Sequence, residues 1–597
     1  MMSVWLLPLI IVATTIVLSL PVGRYLAWIM DGRYRAPAWL QWLEARVNTG
    51  PQNWKQYGLA LVLFNTVMFV FGFVVLSLQP VLPLNPDGKG MLAPTTIFNA
   101  VTSFLTNTNL QHYSGEQHLS YMSQILFVVW NMFVSAAVGF AALTAVIRGL
   151  RGDAHLGNFY LDMWRAVFYV FLPLSLATGV LLLAAGVPMT FEPAAQATTV
   201  SGTAQVIARG PVAAVLPIKH LGTNGGGFFG ANSAHPFENS DAWTNYLECV
   251  SILIFPFSLV VMFGRILGRP GQAAVIYAVM LLLFACMIGN AVYHDTLHGN
   301  PAMAAHARRE ITAPDPSAPG GTRTTVVEAV PALPVDQRAW GNLEGKELRF
   351  GPSAGATFAA VTTAVTCGSV NCMHDSLNPL AGLTPFAGMW LNCVFGGKGV
   401  GLINLLVYLI VGVFLSGLMV GRTPEYLGKK VEAREMKLAM LALLVHPILI
   451  LGSTGLFDAL PWGSGATNNP GAHGFSEILY EFSSASANNG SGFEGLNDTW
   501  GLNDNKDPAP YSRPWDIATG LVMLLGRLIP IIAPLALAGS LAAKKPTPFT
   551  AGTLRTDTIT FGFVLLGTIL LVGALLFLPA AVLGPVAEHL GPIPFGG

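Results

Sequence analysis

The sequence predicts an all-α polytopic membrane protein of ten transmembrane helices, and three observations carry that expectation. Of 597 residues, 53% are hydrophobic and only 10% charged, against about 25% charged in a typical soluble domain. Ten apolar stretches reach the roughly 20 residues that a helix needs to cross a bilayer core. Four connections between them share one pattern, a short apolar run that stops at a polar turn. The first observation excludes a water-soluble enzyme, because too few polar side chains remain to cover a particle of this size. The balance of 31 basic and 31 acidic residues argues against nucleic acid or any strongly acidic partner.

The chain opens Met1-Met2-Ser3-Val4-Trp5, with no basic n-region and no A-x-A site before Arg24, so the run over 4–30 is expected to be retained as the first span. Further spans are expected at 57–79, 121–147, 160–187, 243–266, 272–293, 386–420, 436–457, 515–541 and 558–583. Basic residues cluster in alternate connections: Arg24, Arg33, Arg35, Arg46 and Lys55; Arg148 and Arg151; Arg265 and Arg269; Arg422, Lys429, Lys430, Arg434 and Lys437; Lys544, Lys545 and Arg555. By the positive-inside rule these connections are cytoplasmic, and an even number of spans places both termini outside. The Pro-, Ala- and Thr-rich segment 294–350 reads as an irregular external loop. Cys249, Cys286, Cys367, Cys372 and Cys393 show no CxxC spacing, which favours neither a disulfide framework nor a zinc site.

The other connections hold the four repeated units. The run 96–105 ends in Thr106-Asn107-Thr108-Asn109-Leu110-Gln111, and 212–218 ends in Gly222-Thr223-Asn224-Gly225-Gly226-Gly227. The run 356–365 ends in Thr366-Cys367-Gly368-Ser369-Val370-Asn371, and 475–485 ends in Asn488-Asn489-Gly490-Ser491-Gly492. Irregular backbone at membrane depth is tolerated only where protein buries it or a watery cavity meets it. Four re-entrant loops meet that condition by converging on one axis, with the negative C-terminal ends of the short helices pointing inward. The result is a cation filter. The turns carry no carboxylate, so neutral oxygens would coordinate, which suits a monovalent alkali ion better than calcium or magnesium. Glu116, Glu238, Asp241, Asp375 and Glu494 lie just beyond the turns, either as an outer cation-concentrating vestibule or as ordinary solvated charges.

The seventh span is interrupted by Phe395-Gly396-Gly397-Lys398-Gly399-Val400-Gly401. A cation near the bilayer centre costs about 3 kcal/mol unless it faces water or a partner. Gly396, Gly397, Lys398 and Gly399 are therefore expected either to gate the path below the filter or to form a structural break in which the lysine meets a carbonyl cluster. Arg527 is the second buried-looking cation, in the ion path, at a subunit contact or in a structural pair. His220, His235 and His374 are scattered and predict no metal site.

Together the four turns, and above all the string from His220 through Asn239 (HLGTNGGGFFGANSAHPFEN), resemble the potassium-binding A subunit of the bacterial Kdp potassium-transporting ATPase, within the superfamily of potassium transporters. The resemblance covers essentially the whole chain. It implies four M1-P-M2 pore-loop repeats around a pseudo-fourfold pore with an extra helix at each end: 1–30, repeats over 57–147, 160–266, 272–420 (with the external loop 294–350) and 436–541, then 558–583. It places the filter at Asn107, Thr108 and Asn109; Thr223, Asn224 and Gly225; Thr366, Cys367, Gly368 and Ser369; Asn488, Asn489 and Gly490. Gln111 matches a position associated with potassium affinity, and Leu110 departs from an expected aromatic residue beside the filter. It also implies a P-type ATPase B subunit and small C and F subunits, with ATP and Mg used by the partner alone and potassium passing laterally to it. In agreement, the sequence has no GxxxxGK[ST] loop and no Asp-Lys-Thr-Gly-Thr motif. A self-sufficient potassium channel or secondary carrier is the alternative, because the same architecture serves those. A membrane-embedded enzyme would need convergent ionisable groups within the spans, and beyond Glu248, Lys398 and Arg527 few are present.

Overall fold

A computed structural model describes residues 2–299, 308–314, 322–327, 341–419, 421, 423–499, 512–546 and 554–590. Ten helices among them are long and apolar enough to cross a membrane. The first, α1 (Met2–Met30), is followed by the short α2 (Ala38–Val47). Four units follow, each a helix, a shorter helix and a return helix. They are α3 (Trp54–Ser77), α4 (Pro94–Leu105) and α5 (Tyr121–Arg151); then α6 (Phe159–Ala184), α7 (Val212–Leu221) and α8 (Ala242–Leu267). The third has α9 (Pro270–Thr296), α10 (Ala354–Ala364) and a return in two pieces, α11 (Pro379–Leu391) and α12 (Val400–Met419). The fourth has α13 (Ala433–Asp458), α14 (Gly471–Ala487) and α15 (Ser512–Ala542), and α16 (Ile559–Leu590) closes the chain.

Local sequence sets many of these boundaries. Asn53 caps α3 in a box with Gln56, and Asp241 caps α8 with Thr244, each side chain taking up backbone N–H groups that the first turn leaves unpaired. Pro94, Pro270 and Pro379 open α4, α9 and α11, where a missing N–H costs nothing. Gly152 (φ 98°) and Gly268 (φ 71°) end α5 and α8 in the left-handed region.

Packing then sorts the helices into layers. In its most apolar window α8 is 83% buried and α5 72%, against 28% for α1, α3 and α6, so the return helices form the core and the outgoing ones face lipid. Gly23 of α1 lets the two backbones close up, since a Cβ there would fall 2.5 Å from Val261 Cβ and 2.7 Å from the Ser258 carbonyl of α8. At the other end of α5, Arg148 grips Asp162 with two parallel hydrogen bonds of 2.6 and 2.9 Å, and Tyr57 adds a third at 3.0 Å. That lock joins α3, α5 and α6.

Two regions differ from the sequence expectation. The seventh span does not run through 386–420: α11 ends at Leu391, Asn392 turns left-handed (φ 43°), and the spanning helix begins near Gly397. A helix cannot continue through Phe395 (φ 60°), Gly396 (φ 39°), Lys398 (φ 44°) and Gly399 (φ 92°). The segment 294–350 is not wholly irregular, because two of its described parts, Arg309–Pro314 and Thr322–Val327, pair as antiparallel strands; much of 294–340 lies outside the described residues. A second hairpin joins Ala195–Thr198 to Ala204–Ile207.

Candidate functional site

The four polar turns follow the C-terminal ends of α4, α7, α10 and α14 and superpose in a common register. In each, one residue has a positive φ: Asn107 (62°), Thr223 (40°), Thr366 (45°) and Asn488 (54°). Two positions later the sign is positive again, at Asn109 (56°), Gly225 (89°), Gly368 (86°) and Gly490 (108°). Between them stand Thr108, Asn224, Cys367 and Asn489. The N–H of each intervening residue returns to a carbonyl five residues earlier, on Ser103 (2.9 Å), Lys219 (2.8 Å), Thr362 (2.7 Å) and Ser484 (2.9 Å). Alternating the sign of φ turns successive carbonyls to one side of the chain, which a run of a single handedness cannot do. The cost is strain of order 1–3 kcal/mol at each left-handed non-glycine residue, and Thr223 and Thr366 are β-branched, the least suited to it.

These turns close into a ring. The Asn107 amide donates to the Thr223 carbonyl at 3.1 Å, joining the first turn to the second. A Cβ on Gly225 would fall 2.0 Å from the Cys367 carbonyl oxygen, one on Gly368 2.0 Å from that of Asn489, and one on Gly490 2.0 Å from that of Thr108. Only glycine fits at those three contacts. The first turn has Asn109 instead, and its neighbour makes room with an additional glycine, Gly226, whose Cβ would meet Asn109 Cβ at 2.8 Å.

Side chains of the ring point back into the protein. Asn224 donates to the carbonyls of Met132 and Ile218 at 3.2 and 3.0 Å, Asn489 to Ser491 Oγ at 2.7 Å, and Asn488 to Thr108 Oγ1 at 3.0 Å. Ser369 sits behind the ring, bonded to Asn232 and Ser233 at 3.1 Å each. Gln111 clamps the first turn to the second, donating to the Gly227 carbonyl at 3.2 Å and accepting its N–H at 2.9 Å. By contrast, the carbonyls of Thr108, Asn224, Cys367 and Asn489 accept no hydrogen bond from the described residues, although all four residues are 0% exposed. Buried carbonyls are nearly always paired, so four unpaired ones at equivalent positions need a different partner.

The broken span lies directly beneath. Gly397 packs against the Val365 carbonyl and the Thr223 and Thr366 hydroxyls, with no room for a Cβ (2.6, 2.8 and 3.1 Å). Lys398, 2% exposed, donates to the Asn107 carbonyl at 3.1 Å. Phe395 anchors the loop by stacking on Phe257 at 3.6 Å between ring centres. Arg527 of α15 is buried and donates to the Ser135 carbonyl at 3.2 Å, while Ser135 Oγ donates to Asn107 Oδ1 at 3.0 Å.

The outer carboxylates are chiefly braces. Glu238 is fully buried against Lys219, with Nζ to Oε2 at 2.5 Å, and accepts the Phe229 N–H at 2.9 Å. Asp241 is a helix cap, and Glu494 accepts the backbone N–H groups of His374 and Asp375. Glu116 accepts the Gly230 N–H at 2.8 Å, and burial raises its carboxyl above the usual range. Asp375 meets His473 Nε2 at 2.9 Å while Glu588 meets Nδ1 at 2.7 Å. Burial opposes the charge on His473, but these two carboxylates outweigh it and lift the imidazole to about 10. Lys219 was missed by the sequence reading, although a lysine inside the apolar run 212–221 already requires a buried acid.

The chain matches the family model described as potassium-transporting ATPase A subunit over residues 9–590. It is 46% identical over 583 residues to the potassium-transporting ATPase potassium-binding subunit of Geobacillus kaustophilus, covering 96% of this chain and 97% of that one. The subunit of the same description from Granulibacter bethesdensis is 43% identical over 601 residues, covering 99% and 98%. The solved potassium transporter TrkH of Vibrio parahaemolyticus is 14% identical with a TM-score of 0.48, over 79% of this chain and 82% of that one, a likeness too loose to add weight. With the ten spans and four re-entrant turns, these matches identify a multi-pass membrane protein that belongs to the family of potassium-transporting ATPase A subunits.

Proposed function

We propose that this chain selects potassium from the extracytoplasmic side in its four-turn ring and passes it to a P-type ATPase partner as part of an ATP-driven uptake pump. The observation that carries this reading is the set of four buried, unbonded carbonyls on Thr108, Asn224, Cys367 and Asn489. Neutral oxygens in a ring replace the water shell of a weakly hydrated monovalent cation. The flanking filter residues Asn107, Asn109, Thr223, Gly225, Thr366, Gly368, Ser369, Asn488 and Gly490 hold those carbonyls in place, and Gln111 tunes affinity by fixing the spacing of the first two turns. The loop carrying Gly396, Gly397, Lys398 and Gly399, with Arg527 beside it, stops the ion below the ring and diverts it sideways.

The subunit names of the relatives support an ATPase partner, for which we infer a B subunit that uses ATP and Mg, with small C and F subunits. The alternation of basic connections supports a bacterial inner-membrane orientation with both termini outside. The test has two parts. Potassium and rubidium, but not sodium, should raise the thermal stability of the purified chain, and Gly368→Ala should abolish that response. Rubidium uptake into liposomes holding the chain alone should be absent and should appear with the ATPase partner and ATP. Uptake without partner would replace the pump reading by the channel or carrier one.

A further inference from the structure

Three residues past the first filter turn, acid and base side chains from four separate segments converge. His112 follows the turn, Glu481 lies on α14, Asp498 in the segment after the fourth turn, and Asp516 in the first part of α15. They are 1%, 2%, 4% and 0% exposed respectively. His112 Nδ1 lies 2.8 Å from Asp516 Oδ1, and Asp516 Oδ2 in turn accepts from Thr96 Oγ1 at 2.9 Å. That bond places a proton on Nδ1 and turns Nε2 away from Asp516. What Nε2 faces is two more carboxylates, Glu481 Oε1 at 3.3 Å and Asp498 Oδ2 at 3.6 Å. The second separation is an ion-pair contact longer than a hydrogen bond, so three buried carboxylates crowd one imidazole. Even with the imidazole charged, three carboxylates leave the cluster with two excess negative charges. Such an excess out of water is costly unless a proton or a cation neutralises it.

We propose that His112 Nε2, Glu481 and Asp498 bind one divalent first-row transition ion of the zinc or manganese class, with Asp516 as the carboxylate that orients the imidazole. Nitrogen with two carboxylate oxygens is a donor set such ions take. Ligands about 2.0–2.2 Å from a shared ion stand about 3.0–3.6 Å from one another, and the three donor atoms all lie within 4.8 Å. A carboxylate behind the metal-binding imidazole is the usual second partner of such a histidine. The cluster around His473 differs in being partly exposed and in holding both ring nitrogens tightly, at 2.9 Å from Asp375 and 2.7 Å from Glu588, whereas His112 Nε2 meets Glu481 at 3.3 Å. An ion at His112 would staple the first filter turn to α14, coupling metal occupancy to the geometry of the first and fourth quarters of the ring.

The experiment strips the purified full chain with chelator and titrates it with Zn²⁺ and Co²⁺. One equivalent should bind, Co²⁺ should show ligand-field absorption, and the unfolding temperature should rise with metal. His112→Asn and Asp498→Asn should each weaken binding by about tenfold or more, and Asp516→Asn by about 10–100-fold, while His473→Gln should leave it unchanged. X-ray absorption of the unaltered zinc-loaded chain should show one histidine nitrogen among oxygens, which keeps the proposal testable if a variant fails to fold. Absence of stoichiometric binding, a sulfur-containing shell, or binding indifferent to His112→Asn and Asp498→Asn would overturn it, leaving a cluster neutralised by protons alone.

Discussion

Two lysines are buried close to the filter ring, and they are held in opposite ways. Lys219, behind the second turn, reaches Glu238 at 2.5 Å, Asn232 Oδ1 at 2.6 Å and Ser233 Oγ at 2.9 Å. Lys398 donates to one backbone carbonyl, and no carboxylate lies within ion-pair distance of it among the described residues. A charge buried with a full set of partners belongs to the scaffold. One left with a carbonyl retains its field for whatever approaches, and the place it meets is the inner face of the ring. Under the proposed function, the contrast separates what holds the ring from what would act on the ion.

The strongest test of that division is Lys219→Met, which strands Glu238 in the interior. It should destabilise the chain by about 3–5 kcal/mol, the usual cost of breaking a buried pair from one side. Adding Glu238→Gln should recover much of this, as read by chemical or thermal unfolding in detergent. Lys398→Met should cost less, about 1–3 kcal/mol, because the one buried partner it strands is a neutral acceptor, the Asn107 carbonyl. Rubidium leak through the assembled complex should nevertheless rise by about tenfold or more, since one charge at close range is worth several kcal/mol in a low-dielectric path. Unchanged leak at normal expression would remove Lys398 from the gate.

A finer test moves the loop without altering its charge. Gly397→Ala would press a methyl against the Val365 carbonyl and the Thr223 hydroxyl, and a few-fold rise in leak should follow while Lys398 stays in place. The smallest effect concerns His473, an imidazole outside the ten spans that has a full set of partners, as Lys219 does. Its folded value of about 10 lies above the ordinary 6.5, so its stabilising contribution is complete below pH 6.5 and is lost as pH rises through about 10. The unfolding temperature should therefore fall across that window in the unaltered chain, and the slope should flatten in His473→Gln.

The spans were legible because length and hydropathy alone decide whether a helix crosses a bilayer. The polar turns were legible because Asn, Thr and Gly runs have no place in lipid. Closure of the ring was not, since contacts such as Gly368 with Asn489 and Gly490 with Thr108 join residues more than a hundred positions apart. Periodicity says nothing about such pairs. The same blindness hid the partner of Lys219 and the meeting of His112 with Asp516, and it left Glu238 a candidate vestibule charge rather than a buried brace. The break in the seventh span was foreseen from its glycines, but its start was placed too early because α11 is as apolar as a true span.

The Asn109–Gly226 contact has a consequence for the history and engineering of the chain. Three junctions of the ring use one fitting, glycine on oxygen, and the fourth needs an adapter whose halves sit in different repeats. A chimera that replaces the first repeat by a copy of another would leave a gap beside Gly226, and one that replaces the second alone would set a side chain against Asn109. The first two repeats must therefore be exchanged as a unit, and the ring has a fixed starting point: its quarters are no longer interchangeable parts.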